Sequence, residues 1–182
     1  MEKTINEVFR NRVKKYGDRL AVEKRVGNGW ETATFNQYYE RSRAAGLGFY
    51  ELGVRKGDRI AILSENRMEW VYSDMGGLGI GACMFGIYAT VNEEEVEVIL
   101  KNSGAKIIVV ENAAQLRKAR AAMKGSPALK VIVVIDEKDC QVDDKMVISY
   151  PALMERGKAK HAAEPKLFEM LADDVQSDDL AL

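Results

Sequence analysis

Four short apolar runs constrain this chain more than any other feature: Ile60-Ala61-Ile62-Leu63, Met84 to Ile87, Ile107-Ile108-Val109-Val110 and Val131 to Ile135. None shows the apolar–polar alternation of a strand with one wet face, so each reads as a strand covered on both sides. Helical periodicity fills the intervals. Asn66-x-x-Glu69 stands where it can cap a helix through Trp70, Val71, Met75 and Leu78. Asn92-x-x-Glu95 opens another through Val96, Ile99 and Leu100, closed by Gly104, and residues 113–123 form a third. In such caps the Asn oxygen accepts from an orphan backbone N–H of the first turn. Strands alternating with helices need crossovers, and right-handed crossovers build a doubly wound α/β layer, a largely parallel sheet with flanking helices.

The flanks are less regular. Thr4 to Tyr16 reads as an amphipathic helix with Ile5, Val8, Phe9 and Val13 on one face. Asp18 to Thr34 reads as a hairpin turning at Gly27-Asn28-Gly29. Thr34-x-x-Gln37 is a capping-box pattern, followed by Phe35, Tyr38, Ser42, Ala45, Phe49 and Leu52 at steps of three and four, with Gly53 as the stop. Residues 136–148 are polar and acidic and read as a surface excursion, after which Tyr150-Pro151 starts a last short helix. From Glu164 onward six carboxylates face the single Lys166, the pattern of a solvated, partly disordered end. With 182 residues there is chain for one substantial core. One α/β subdomain is expected: helix, hairpin and long helix in 1–58, a βαβ core in 59–135, a variable excursion and short helix in 136–165, and an acidic tail in 166–182.

Little in the composition points to chemistry. Net charge is −1, which favours neither nucleic acid nor an acidic membrane surface as partner. Cys83 and Cys140 show no CxxC spacing and read as reduced thiols. No apolar leader and no run near the roughly 20 residues of a spanning helix is present, so a cytoplasmic location is expected. The cluster Gly76-Gly77-Leu78-Gly79-Ile80-Gly81 falls at the end of a helix and leads into a strand. A phosphate loop needs the reverse order, so close helix-on-sheet packing is expected there. No GxxxxGK[ST] motif exists, and His161, the only histidine, sits among charged residues as a surface group without metal-ligand company. No catalytic or metal-ligating residue is assigned. The best candidates are Ser64, Asn66, Tyr88 and Thr90, which follow two apolar strands at the carboxyl edge where open α/β sheets bind ligands. A helix cap at Asn66 and plain loop residues at Tyr88 and Thr90 are the competing explanations.

The order of segments adds a resemblance. Leu52-Gly53-Val54-Arg55-Lys56-Gly57-Asp58-Arg59-Ile60-Ala61-Ile62-Leu63-Ser64-Glu65-Asn66-Arg67-Met68-Glu69-Trp70 resembles the "LGV-x-x-GD-x-V-A-x-x-x-x-N-x-x-E-W" stretch of adenylate-forming acyl-CoA synthetases. Trp30 to Phe35, Gly81-Ala82, Gly86-Ile87-Tyr88-Ala89-Thr90, Glu94-Glu95-Val96 and Asn102-Ser103-Gly104-Ala105-Lys106 follow the same family in order and spacing. The Gly-Ile-Tyr-Ala-Thr form, with Thr4-Ile5-Asn6-Glu7-Val8-Phe9 upstream, is similar to long-chain fatty-acid ligases; Ala89 and Met68 stand where members often carry Pro. Ser177-Asp178-Asp179-Leu180-Ala181-Leu182 resembles the lead-in to the family's phosphate loop, "YTSGTTGxPKG".

The resemblance thus implies an N-terminal subdomain that stops short of the loop and is inactive alone. For the whole enzyme it implies a ligase that joins a fatty acid to ATP as acyl-adenylate and then to coenzyme A. ATP, Mg²⁺ and coenzyme A would be used by that enzyme and none held by this segment. The site residues Ser64, Asn66, Tyr88 and Thr90 would wall the acyl or coenzyme A pocket. The enzyme would be cytoplasmic or peripheral at a membrane. A surface meant for the rest of such an enzyme would expose an apolar patch and favour homo-oligomers. A short-chain or aryl-acid ligase, a non-catalytic α/β interaction module, or a flavodoxin-like binder are the rival readings, the last disfavoured because no strand–helix junction forms a phosphate cradle.

Overall fold

The structure, a computed structural model, describes residues 2–143 and 145–181. All four apolar runs are strands: β3 (Arg59–Leu63), β4 (Cys83–Ile87), β5 (Ile107–Val110) and β6 (Val131–Val134). With β7 (Val147–Ser149) they form one parallel sheet in the order β4-β3-β5-β6-β7. The pleat sends alternate residues to opposite layers. Ile60, Ile62, Val109 and Val133 face α2 (Phe35–Glu51), α3 (Met68–Gly79) and α6 (Tyr150–Ala163). Ala61, Leu63, Val110 and Val134 face α4 (Glu93–Ser103) and α5 (Ala113–Ala122). Burial on both sides is what unbroken apolar runs require.

The caps of α2 and α4 follow the sequence reading. Thr34 and Gln37 form a reciprocal capping box, as do Asn92 and Glu95, and Gly104 ends α4 at φ 64°. The hairpin of β1 (Leu20–Val26) and β2 (Gly29–Thr34) stands apart as a two-stranded sheet. Its turn is tighter than expected: Val26 pairs with Gly29, leaving two residues at the tip, with Gly27 at φ 57°.

Three expectations need correction. The 136–148 excursion ends in a strand, because Val147 and Ile148 are buried beside β6. A three-residue strand is too short to carry a period. The helix at Tyr150, α6, expected to be short and last, has 14 residues, packs along α2 as a principal core element and is followed by one more helix. The acidic tail is docked on the domain through apolar contacts, while its carboxylates stay largely exposed to solvent. Leu167, Phe168, Leu171 and Ala172 give its helix α7 (Leu167–Asp173) an apolar face. Its carboxylates meet fixed cations: Asp173 lies 2.6 Å from Arg10, and Asp179 and Asp174 lie 2.8 and 3.6 Å from Lys56. The backbone N–H of Met84 donates to the Ala181 carbonyl at 2.9 Å, which lays the tail along the outer edge of β4.

The glycine cluster packs closely, as expected, but against three different partners. A side chain at Gly76 would meet the Ser42 carbonyl of α2, one at Gly77 would meet Met84 of the sheet, and one at Gly79 would meet the Phe168 ring. Close approach to neighbours on every side accounts for the glycines without any ligand.

Helix α1 (Ile5–Tyr16) forms with the Thr4 cap but buries only part of its stripe. The Phe9 ring lies 4.7 Å from that of Tyr38 of α2, tilted at 59°, whereas Ile5 and Val8 stay exposed. Asn6 is the buried residue there, donating to the Leu78 carbonyl at 3.0 Å. That carbonyl lies in the last turn of α3 and also accepts from the Gly81 N–H at 3.0 Å, so Asn6 occupies its second acceptor site. Ile5 also borders a depression shared with the exposed Leu180. Sedimentation at rising concentration should show the average mass of this chain increasing through that face; a monomer throughout would exclude it.

Candidate functional site

β3 and β4 run in register to a common end, Leu63 opposite Ile87, so the segments that follow them emerge side by side. Between these segments lies a cleft of about 490 Å³. Ser64, Asn66, Tyr88 and Thr90, residues of two separate segments, all line it. Tyr88 is 84% exposed and stands at the mouth. Ser64 is buried, and its hydroxyl is already committed, donating to the Glu65 carbonyl at 2.8 Å.

Asn66 does not cap α3. Arg67 occupies the N-cap position with no side-chain cap, one residue nearer the helix. Glu69, the other half of the expected box, is drawn instead to the Arg67 guanidinium at 2.8 Å. Burial works to raise the Glu69 carboxyl, but the guanidinium and the Glu69 backbone N–H outweigh it and hold the group below its ordinary range. Released from capping, the Asn66 amide is exposed in the cleft.

Trp70 is the wall residue that sequence reasoning assigned to the helix core. It lies beside Gly86, where an added methyl would sit 3.4 Å from the indole, and it borders both this cleft and a shallower one against Val22 and Lys24 of β1. Its place directly after Asn66-x-x-Glu69 was the available signal, since one helical turn beyond a strand end keeps a large side chain near that edge.

The sheet order reverses at β3, so the customary ligand crevice would open between the ends of β3 and β5. Here Glu111, the residue after β5, closes it. Its carboxylate accepts from the Glu65 backbone N–H at 3.1 Å and lies 3.5 Å from Arg67. Open space is left one strand over, between β3 and β4.

A larger cavity of about 620 Å³ lies between α2, α3 and α6, but its polar walls are mostly engaged. The Arg41 guanidinium donates to the Tyr72 hydroxyl at 2.6 Å, and the Tyr150 hydroxyl, reached by Ser73, donates to the Glu69 carbonyl at 3.3 Å. His161 lines this cavity half-buried, with Nδ1 unpartnered among the described residues, so it is not the free surface group expected. No group of three or more His, Cys, Asp or Glu among the described residues is placed to hold a metal ion.

A model of the AMP-binding enzyme family matches residues 9–182. The chain belongs to that family. Among curated relatives, a long-chain-fatty-acid–CoA ligase of Xenopus laevis, ACSBG2, is 38% identical over 130 residues, covering 71% of this chain and 18% of the relative. The human long-chain-fatty-acid–CoA ligase ACSBG1 is 34% identical over 134 residues, covering 74% and 18%. This chain thus spans about 18% of the length of those relatives.

Among solved structures, the anthranilate CoA ligase AuaEII in complex with anthranoyl-AMP superposes with a TM-score of 0.71 at 23% identity, covering 82% of this chain and 27% of that one. The A-PCP didomain of a carboxylic acid reductase from Segniliparus rugosus gives 0.73 at 15% identity, covering 87% and 27%. These likenesses show that this chain shares the fold of the corresponding part of those proteins. No helix among the described residues is long and apolar enough to cross a membrane.

Proposed function

We propose that this chain forms the first sheet of a long-chain fatty-acid–CoA ligase, which uses ATP and Mg²⁺ to make acyl-adenylate and passes the acyl group to coenzyme A. The observation that carries the reading is the family match together with identity of a third or more to long-chain ligases. Within that enzyme the β3–β4 cleft walls the acyl or coenzyme A pocket: Trp70 and Tyr88 supply apolar faces, and Asn66 and Thr90 supply polar groups at its rim. The segment contributes shape and orientation, and the phosphate chemistry falls to residues outside it. Acting in the cytosol or at a membrane surface would suit a ligase with an amphipathic substrate.

The test is fatty-acid-dependent ATP–pyrophosphate exchange by the intact protein that carries this segment. Palmitate should drive exchange far better than acetate or benzoate, and the 182-residue chain alone should give none. In the same protein Tyr88→Ala should raise the KM for acyl substrate or coenzyme A about three- to tenfold, the loss of one aromatic contact. Absence of exchange with any carboxylic acid would remove the ligase reading, and unchanged KM values would remove the pocket assignment.

A further inference from the structure

We propose that Lys118 is a positioning residue that sets where Tyr88 stands across the cleft. The inference rests on the reading of that cleft as a substrate wall. Lys118 belongs to α5, on the far layer of the sheet, yet its ammonium reaches the loop between β4 and α4. Its Nζ donates to the Ala89 carbonyl at 2.9 Å and to the Val91 carbonyl at 2.6 Å. Gln115, one turn earlier on the same helix face, donates its Nε2 to the Ala89 carbonyl as well, at 3.1 Å. The turn is closed from within by the Val91 N–H, which donates to the Tyr88 carbonyl at 3.2 Å. The carbonyls of Tyr88, Ala89 and Val91 are therefore all held, while the side chains of Tyr88 and Thr90 are exposed in the cleft.

This arrangement uses a full charge on main-chain carbonyls, a combination stronger than neutral hydrogen bonds and directional enough to fix a loop. Apart from Val91, which packs against the core, the loop has little side-chain anchorage of its own: Tyr88 is exposed and Ala89 has only a methyl group. Rigidity that residue type does not supply comes from α5. Because an exposed aromatic side chain acts at a distance set by its backbone, a loosened loop moves the Tyr88 ring out of register with the opposite wall formed by Asn66 and Trp70.

Lys118→Met keeps the aliphatic stem and removes the charge and donors. In hydrogen–deuterium exchange on this chain, the amides of residues 88–91 should exchange roughly tenfold faster, with β3 and β5 unchanged. In the intact protein the KM for acyl substrate or coenzyme A should rise about three- to tenfold while kcat stays within about twofold. Lys118→Arg, which restores charge and donors, should recover most of both effects. Unchanged exchange at 88–91 overturns the proposal. So does a fall in kcat at constant KM, which is what general destabilisation would give. If Lys118→Met speeds exchange but neither it nor Tyr88→Ala moves any KM, the grip on the loop stands and the assignment of the cleft to substrate fails.

Discussion

Gly157→Ala should be the most damaging single-methyl change in this chain, lowering stability by about 3 kcal/mol or more. Gly157 sits where α6 crosses α2 with the two backbones in contact. A Cβ there would meet the Ala44 carbonyl and lie 2.8 Å from the backbone nitrogen of Gly48. Neither obstacle is a flexible side chain, so relief requires moving one helix away from the other. That movement would unpack Leu153, which is fully buried and lies against Gly48 across the same contact. Helix propensity favours Ala over Gly by up to about 1 kcal/mol, which is too little to offset the clash. For a chain of this size the melting temperature should fall by roughly 6–12 °C. Urea unfolding checks the figure, and a loss below about 1 kcal/mol would mean that the helices separate at little cost.

Asp74→Asn should act in the opposite direction. Asp74 lies on α3 near the Tyr38 phenol, with Oδ1 shielded from solvent and without a hydrogen-bond partner among the described residues. Burial pushes its carboxyl up from 3.8 to about 6. A carboxyl whose folded-state pKa is raised favours the fold when protonated and opposes it when ionised. Its stabilising influence is fully present below about pH 4 and is lost as pH rises through about 6. The full shift corresponds to about 3 kcal/mol, and partial exposure reduces this to about 1–2 kcal/mol at pH 8. Asn keeps the shape without the charge. The variant should therefore be more stable than the parent at pH 8 and equal to it near pH 4. Denaturant curves at both values decide the matter: a gain that persists at about pH 4 would show that the benefit is not electrostatic.

Local signals proved readable where the interactions they report are local. Capping boxes at Thr34–Gln37 and Asn92–Glu95 close within three residues, so the pattern and the bonds are nearly the same fact. The same pattern at Asn66–Glu69 failed because a competitor stood between them: Arg67 took Glu69 for itself. Charge counting misjudged the tail for a related reason. Asp173, Asp174 and Asp179 suggest a free end until Arg10 and Lys56, distant in sequence, are brought beside them.

The candidate site was half legible. Ser64, Asn66, Tyr88 and Thr90 could be named because parallel strands end at one edge and their following residues must emerge there. That they share one cleft, that Glu111 closes the neighbouring crevice, and that Trp70 forms a wall depended on side-chain packing.

By itself, then, the sequence determined four of the five strands of the central sheet, the helices between them and two of the caps, since apolar runs and helical spacing are set by residues within a few positions of one another. The tertiary structure alone decided the burial of β7, the docking of α7 and the grip of Lys118 on a loop 29 residues away. Those contacts join segments that crossovers carry to the same place, and no periodicity within either segment encodes the meeting.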